Sequence, residues 1–277
     1  MHPMLNIAVK AARRAGDIIV QASRNLDLLT ISKKSRSDYV SEVDGAAEEV
    51  IIRILREAYP NHAILAEESG TSGDVQDAEY QWIIDPLDGT TNFLHGLPQY
   101  AVSIALKHKG ILNKAVVYNP NNNELFTAGR GDGAYLNNKR LRVSKRIHLE
   151  DCLIGTGIPF RDLTHVEAYL SIFKDIIPRV AGIRRPGSAS LDLSYVAAGR
   201  YDGFWEIGLA PWDMAAGALI IKEAGGLVGD LEGDDTYLES GQILAGNPKV
   251  FSQLLKIIAP HLTEALKENH RAAKKKK

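Results

Sequence analysis

Residues 81–93, QWIIDPLDGTTNF, constrain this chain more than any other stretch. An apolar run, Trp82-Ile83-Ile84, ends in Asp85, and Asp88 follows ahead of Gly89-Thr90-Thr91-Asn92. Pro86 pushes the residue before it toward extended geometry, which places Asp85 at the end of a strand. Gly89 and two threonines suit a tight turn into a helix, whose free N–H groups can cradle a phosphate. Two carboxylates beside such a nest read as a divalent cation held next to a phosphoryl group. A solvated Asp-Pro turn with Asp as its cap is the competing reading.

At 277 residues the chain is one large domain or two small ones. Its 33 basic and 34 acidic residues nearly cancel, which argues against a chain-wide nucleic-acid binder. Cys152 is the only cysteine, so neither an internal disulfide nor a thiolate cluster is available. The eight histidines show no metal-ligand spacing. No apolar run approaches the ~18 residues that span a bilayer, and no leader-like apolar segment opens the chain. A soluble, cytoplasmic protein is expected, with no membrane partner.

Leu5, Ala8, Val9, Ala12, Ala15, Ile19 and Ala22 recur at helical spacing, so an amphipathic helix is predicted first. A polar loop, SKKSRSDYVSEVD, leads to a second helix with the stripe Ala47, Val50, Ile51, Ile54, Leu55 and Ala58, stopped by Pro60. Strands follow at 63–66, 82–84, 101–106 and 114–118, then hairpins over 124–143 with Gly and Asn-Asn punctuation. Residues 1–145 therefore read as helices on a mostly antiparallel sheet. After SKRIHLED, strands and helices alternate, so 146–277 reads as an α/β half. Asn247-Pro248 is expected to start the final helix, and the basic tail at about 272–277 to be solvated and disordered. Arg130-Gly131-Asp132 reads only as a hairpin turn, and Gly155-Thr156-Gly157 is too short for a dinucleotide loop.

Other acids repeat the logic of the first motif. AILAEESG at 63–70 is an apolar run ending in Glu67-Glu68 before a Ser-Gly turn. PWDMAAGALIIKEAGG at 211–226 opens a nearly all-apolar helix on Asp213, which is also favourable there through the helix dipole. Asp44 precedes GAAEEVIIR and needs no role beyond a helix cap. Gly187-Ser188-Ala189 opens another helix, where N–H groups are free, and Glu206 ends the strand GFWEI.

D-P-L-D-G-T-T and P-W-D-x-A-A-G, in that order, closely resemble the two signatures of the inositol monophosphatase family, the Mg-dependent, lithium-sensitive sugar-phosphate phosphatases. The resemblance covers nearly the whole chain and implies a layered αβαβα sandwich. It implies Glu67, Asp85 and the Leu87 carbonyl as ligands of one Mg²⁺, Asp85, Asp88 and Asp213 as ligands of a second, and a weaker third ion near Glu67. It implies that Thr90, hydrogen-bonded to Asp44, works with Glu67 to orient a water for in-line attack. Gly89 and Thr90 amides would hold the phosphate. Asp88, Gly187, Ser188, Ala189, Glu206 and Asp213 would contact substrate, with Glu206 accepting hydrogen bonds from sugar hydroxyls as in inositol-specific members. Lys33 is the counterpart of a family loop lysine by ungapped count. The expected activity is hydrolysis of myo-inositol monophosphate. The alternatives are a fructose-1,6-bisphosphatase, a nucleotide 3′-phosphatase, or a Nus-type factor in transcription antitermination or ribosome biogenesis, binding an RNA complex. A homodimer is typical of the family.

Overall fold

The computed structural model describes the backbone of residues 2–35, 38–73, 78–160 and 162–274; the side chains of Leu28, residues 31–40 and Lys274 lie outside that description. The chain opens with helices α1 (Pro3–Ala22) and α2 (Glu42–Ala58), separated by strands β1 (Ile31–Ser35) and β2 (Asp38–Ser41). There follow β3 (Ala63–Ala66), β4 (Gly70–Ser72), β5 (Tyr80–Asp88), a short α3 (Thr90–Leu94), β6 (Ala101–His108), β7 (Ile111–Asn119), β8 (Glu124–Gly129), β9 (Gly133–Leu136) and β10 (Lys139–Arg140). The remainder is β11 (Leu153–Thr156), α4 (Val166–Ile176), β12 (Gly182–Arg184), α5 (Ala189–Ala197), β13 (Gly203–Ile207), α6 (Pro211–Glu223), β14 (Leu227–Gly229), α7 (Tyr237–Ser240), β15 (Gln242–Gly246), α8 (Pro248–Ile258) and α9 (Glu264–Lys274).

Among the described residues, β3 to β10 form an eight-stranded sheet in the order β10-β9-β8-β7-β6-β5-β3-β4, and β11 to β15 a five-stranded sheet in the order β12-β11-β13-β15-β14. The large sheet is antiparallel except where β3 runs parallel to β5. Its strands are apolar on both faces because each face is covered. Trp82, Ile84, Val102, Ile104 and Val116 pack with α1 and α2 in one core. Their neighbours Ile83, Ala101, Ala105, Ala115 and Val117 pack with α5 and α6 in a second. That middle core also takes Phe204, Ile243 and Ala245 from the small sheet. The alternate residues Trp205 and Leu244 face a third core with α4 and α8. The result is five layers, αβαβα, in which the middle core draws on both sides of residue 145. No helix among the described residues is long and apolar enough to cross a membrane.

Three local expectations are corrected. The polar stretch after residue 30 is not a plain loop: β1 and β2 pair as an antiparallel ribbon, with Ile31 opposite Ser41. The strand holding Trp82-Ile83-Ile84 does not stop at Asp85 but continues to Asp88. The helix opened by Asn247-Pro248 is not the last, because α9 runs through residues 272–274, where an unstructured tail was expected. Leu266, His270 and Ala273 are the buried face of α9. Only one of these three is strongly apolar, so the periodicity was faint in the sequence. Lysines 275–277 lie outside the described residues.

Candidate metal and phosphate site

The irregularity in β5 is what assembles the acids. Asp85 pairs with Ser103 and Asp88 with Ala101, so three steps along β5 match two along β6. Alternation alone would send residues three apart to opposite faces. A bulge absorbs one residue and returns Asp88 to the face of Asp85. Pro86, which lacks an N–H, is tolerated at such a break in the ladder. Both carboxylates then face the layer of α5 and α6, while Leu87 packs on the opposite side among α1 and α2. Ser103 Oγ donates to the Trp212 carbonyl at 3.1 Å, tying the start of α6 to this point. Asp213, in the first turn of α6, accepts from the Ala210 amide at 2.7 Å through Oδ2. Ligand oxygens of Asp85, Asp88 and Asp213 all lie within 4.8 Å of one another, and all three residues are buried.

Glu67 joins them from the end of β3, where its amide extends the ladder to the Ile84 carbonyl at 3.1 Å. The turn that carries it is held by Glu48, buried on α2, which accepts from the amides of Glu68 at 2.9 Å and Ser69 at 2.8 Å. Burial pushes the Asp85 carboxyl well above the usual carboxylate range, and the charges of Glu67, Asp88 and Asp213 push it further. Burial also raises Asp88, opposed by hydrogen bonds from Ser188 and Ser190. Carboxylates crowded in a low-dielectric site stay ionised only when cations balance them. The donors are all oxygen, so the cluster fits a hard divalent cation and not a thiolate- or imidazole-seeking one.

The nest beside the acids is built as tightly. Gly89 sits at φ 96°, and a Cβ there would stand 2.8 Å from the Gln99 carbonyl and 3.3 Å from the Gly187 carbonyl. Asn92 bridges the same elements, its amide nitrogen 2.8 Å from the carbonyls of both Gln99 and Pro186. Thr90 Oγ1 lies 2.8 Å from Asp44 Oδ1 and 3.0 Å from the Leu87 carbonyl. Asp44 Oδ2 accepts from Ser41 Oγ at 2.6 Å and from the Ser41 amide at 2.9 Å, which closes the N-terminal cap of α2. Burial raises the Asp44 carboxyl, and the donors Ser41 and Thr90 oppose that shift.

Across the acids lies the start of α5. Asp88 Oδ2 accepts from Ser188 Oγ at 2.6 Å, from the Ser190 amide at 2.8 Å and from Ser190 Oγ at 2.5 Å. Glu206, on β13, packs against Gly157 so closely that a Cβ there would overlap its carboxyl. A cavity of about 550 Å³ is lined by Glu67, Asp85, Leu87, Asp88, Gly89, Thr90, Gly187, Ser188, Ala189, Glu206 and Asp213. Asp44, which does not line it, touches it through Thr90. The side chain of Lys33 lies outside the described residues.

Sequence reasoning missed Glu48, Ser190, Asn92, Asp192 and Asn269. Asp192, on α5, lines the cavity and is buried, and its Oδ1 has no hydrogen-bond partner among the described residues. Burial raises its carboxyl strongly, with Glu206 and Asp88 adding to the shift and Arg185 opposing it. Only the T-T-N string after Gly89 carried a signal for one of these residues, Asn92.

A model of the inositol monophosphatase family matches residues 1–268. The chain is 57% identical over 270 residues to the Nus factor SuhB of Pseudomonas aeruginosa, covering 96% of this chain and 100% of that protein. The extragenic suppressor protein suhB of Bartonella henselae has a solved structure that matches with a TM-score of 0.89 at 47% identity, over 93% of this chain and 98% of the other. The inositol monophosphatase from Anabaena (Nostoc) sp. matches with a TM-score of 0.80 at 36% identity, over 92% and 95% of the two chains. By sequence, architecture and the residues gathered around Asp85, this chain belongs to the inositol monophosphatase family.

Proposed function

We propose that the protein is a Mg²⁺-dependent phosphomonoesterase that hydrolyses myo-inositol monophosphate to inositol and phosphate. The observation that carries this reading is the convergence of Asp85, Asp88 and Asp213 within 4.8 Å, in one cavity with Thr90 and Glu206. Glu67, Asp85 and the Leu87 carbonyl would hold one Mg²⁺, and Asp85, Asp88 and Asp213 a second. Bound there, Mg²⁺ supplies Lewis-acid charge for the phosphate oxygens and acidifies water.

The chain's own groups do the rest. Amides of Gly89 and Thr90 at the start of α3 receive the phosphate. With its hydroxyl proton directed at Asp44, Thr90 keeps lone pairs to orient the attacking water together with Glu67. The new oxygen–phosphorus bond forms in line with the ester bond that breaks; the attacking water leaves one proton on the phosphate and releases the other, and the leaving alkoxide takes up one proton from solvent water to become a hydroxyl. Glu206 accepts hydrogen bonds from ring hydroxyls, and the Gly187–Ala189 backbone shapes the floor beneath the ring. The half spanning 1–145 thus supplies most metal and phosphate ligands, and 146–277 adds Asp213 and the substrate contacts. A phosphatase panel with and without Mg²⁺ tests this, with inositol monophosphate, fructose 1,6-bisphosphate and a nucleoside 3′-phosphate as the competing substrates. Faster turnover of either competitor would move the assignment within the family. Inhibition by Li⁺ and a homodimer on size exclusion belong to the same reading, as does a cytoplasmic location.

A second role rests on one observation, the 57% identity to a protein named Nus factor SuhB. We propose on that ground that the chain also joins a transcription antitermination complex. Capture of transcription partners from bacterial lysate by both the wild type and Asp88→Asn would separate binding from catalysis. Capture by neither would count against the role.

A further inference from the structure

We propose that the C-terminal helix α9 forms part of the substrate wall and that Asn269 is a specificity-determining residue, hydrogen-bonding a hydroxyl of a polyol phosphate. The proposal rests on the phosphatase reading above and deepens it.

Asn269 lines the same cavity as Glu206 and Asp213, beside Ser240 and Gln242. The residue is exposed as well as part of the cavity lining, so an entering ligand can meet it without displacing packing. A carboxamide offers both a donor and an acceptor, whereas Glu206, when ionised, only accepts. The two side chains together can therefore read a hydroxyl-bearing ring from more than one edge.

The residue next to it explains why Asn269 stays in place. His270 is buried, with Nδ1 2.7 Å from Asp230 Oδ2 and Nε2 3.2 Å from both Glu232 Oε2 and Asp234 Oδ2. Asp230 is itself fully buried and fixed, its Oδ1 accepting from the amides of Glu232 at 2.9 Å and Asp234 at 3.0 Å. Thr236 Oγ1 donates to its other oxygen. A further tie runs from Gln242 Nε2 to the Leu266 carbonyl at 2.8 Å. Leu266 and Ala273 are buried along the same face of the helix. Such a set of partners holds a helix as a wall and not as a fraying terminus.

The test compares kcat and KM for inositol monophosphate and for p-nitrophenyl phosphate, which carries no ring hydroxyl. Hydrogen exchange of residues 264–273 is followed in parallel. Asn269→Ala should raise KM for inositol monophosphate about five- to tenfold, as expected for one lost hydrogen bond. Its kcat/KM for p-nitrophenyl phosphate and the helix protection should not move. His270→Ala should lose the protection and the same selectivity. An unchanged KM for Asn269→Ala overturns the role of Asn269, and full protection in His270→Ala overturns the anchor. If the wild type hydrolyses fructose 1,6-bisphosphate but not inositol monophosphate, the substrate assignment fails, and the same KM shift must appear on the bisphosphate. If it hydrolyses neither polyol ester, both proposals fall.

Discussion

Thr90 Oγ1 lies 2.8 Å from Asp44 Oδ1, across 46 positions of chain. The bond joins the start of α3 to the N-terminal cap of α2, so one carboxylate serves two jobs. Through Oδ2 it completes the cap with Ser41. Through Oδ1 it sets the direction of the Thr90 hydroxyl. A buried acceptor of this kind loses more when its partner is removed than the bond itself contributes.

Thr90→Ala should therefore lower kcat about 10²-fold with little change in KM, the size expected for a positioned proton-handling group. Thr90→Ser should keep most of the activity, because the hydroxyl survives. Steady-state kinetics on the three proteins decides it, and equal losses in the Ala and Ser variants would count against the role.

Gly89 has no room for a side chain. Gly89→Ala would force a Cβ to within 2.8 Å of the Gln99 carbonyl at φ 96°. Strain of this sort costs on the order of 1–3 kcal/mol. A lowered Tm together with lost phosphate release is expected, and a variant with wild-type Tm and activity would contradict the close-packed turn.

Burial raises the carboxyls of Asp85 and Asp88, and the neighbouring charges of Glu67, Asp88 and Asp213 raise Asp85 further. An acid whose pKa is higher folded than unfolded favours folding below the unfolded value, near 4, and loses that contribution as pH rises through the folded value. Mg²⁺ needs the ionised forms, so its effect should run the other way. Without metal, Asp85→Asn should melt above wild type at about pH 7.5, and the gap should narrow toward about pH 5. With Mg²⁺ the order should reverse at the higher pH. Calorimetry across that window checks the sign, and a pH-independent gap would remove the electrostatic account.

Much of the architecture was written in apolar runs. Trp82-Ile83-Ile84 and the 101–106 strand are apolar on successive residues because alternate side chains enter different cores. The polar residues of α5 carried no such signal. Ser190, Asp192 and Ser194 are all buried because α5 lies between two sheets. The acids of the site were legible as residue types. The bulge that turns Asp88 to the face of Asp85 was not, since it depends on pairing with β6. Helix α9 was missed because its anchor, His270, reads as a surface residue until Asp230, Glu232 and Asp234 surround it.

Asp85 and Glu206 sit at opposite ends of the proposed division of labour. On an aryl phosphate, which has no ring hydroxyls, Asp85→Asn should lose several kcal/mol of transition-state stabilisation, on the order of 10³-fold or more. Glu206→Gln should be nearly silent on that substrate and costly on inositol monophosphate. The reverse ranking on the aryl ester would mean that the roles are misassigned.

The most direct measurement is phosphate release from inositol monophosphate by the wild type after EDTA treatment, followed by titration with Mg²⁺. The account expects no release in EDTA and recovery as Mg²⁺ is restored, with Asp85→Asn failing to recover at the same concentrations. Full activity in EDTA, or full recovery by Asp85→Asn, would contradict it.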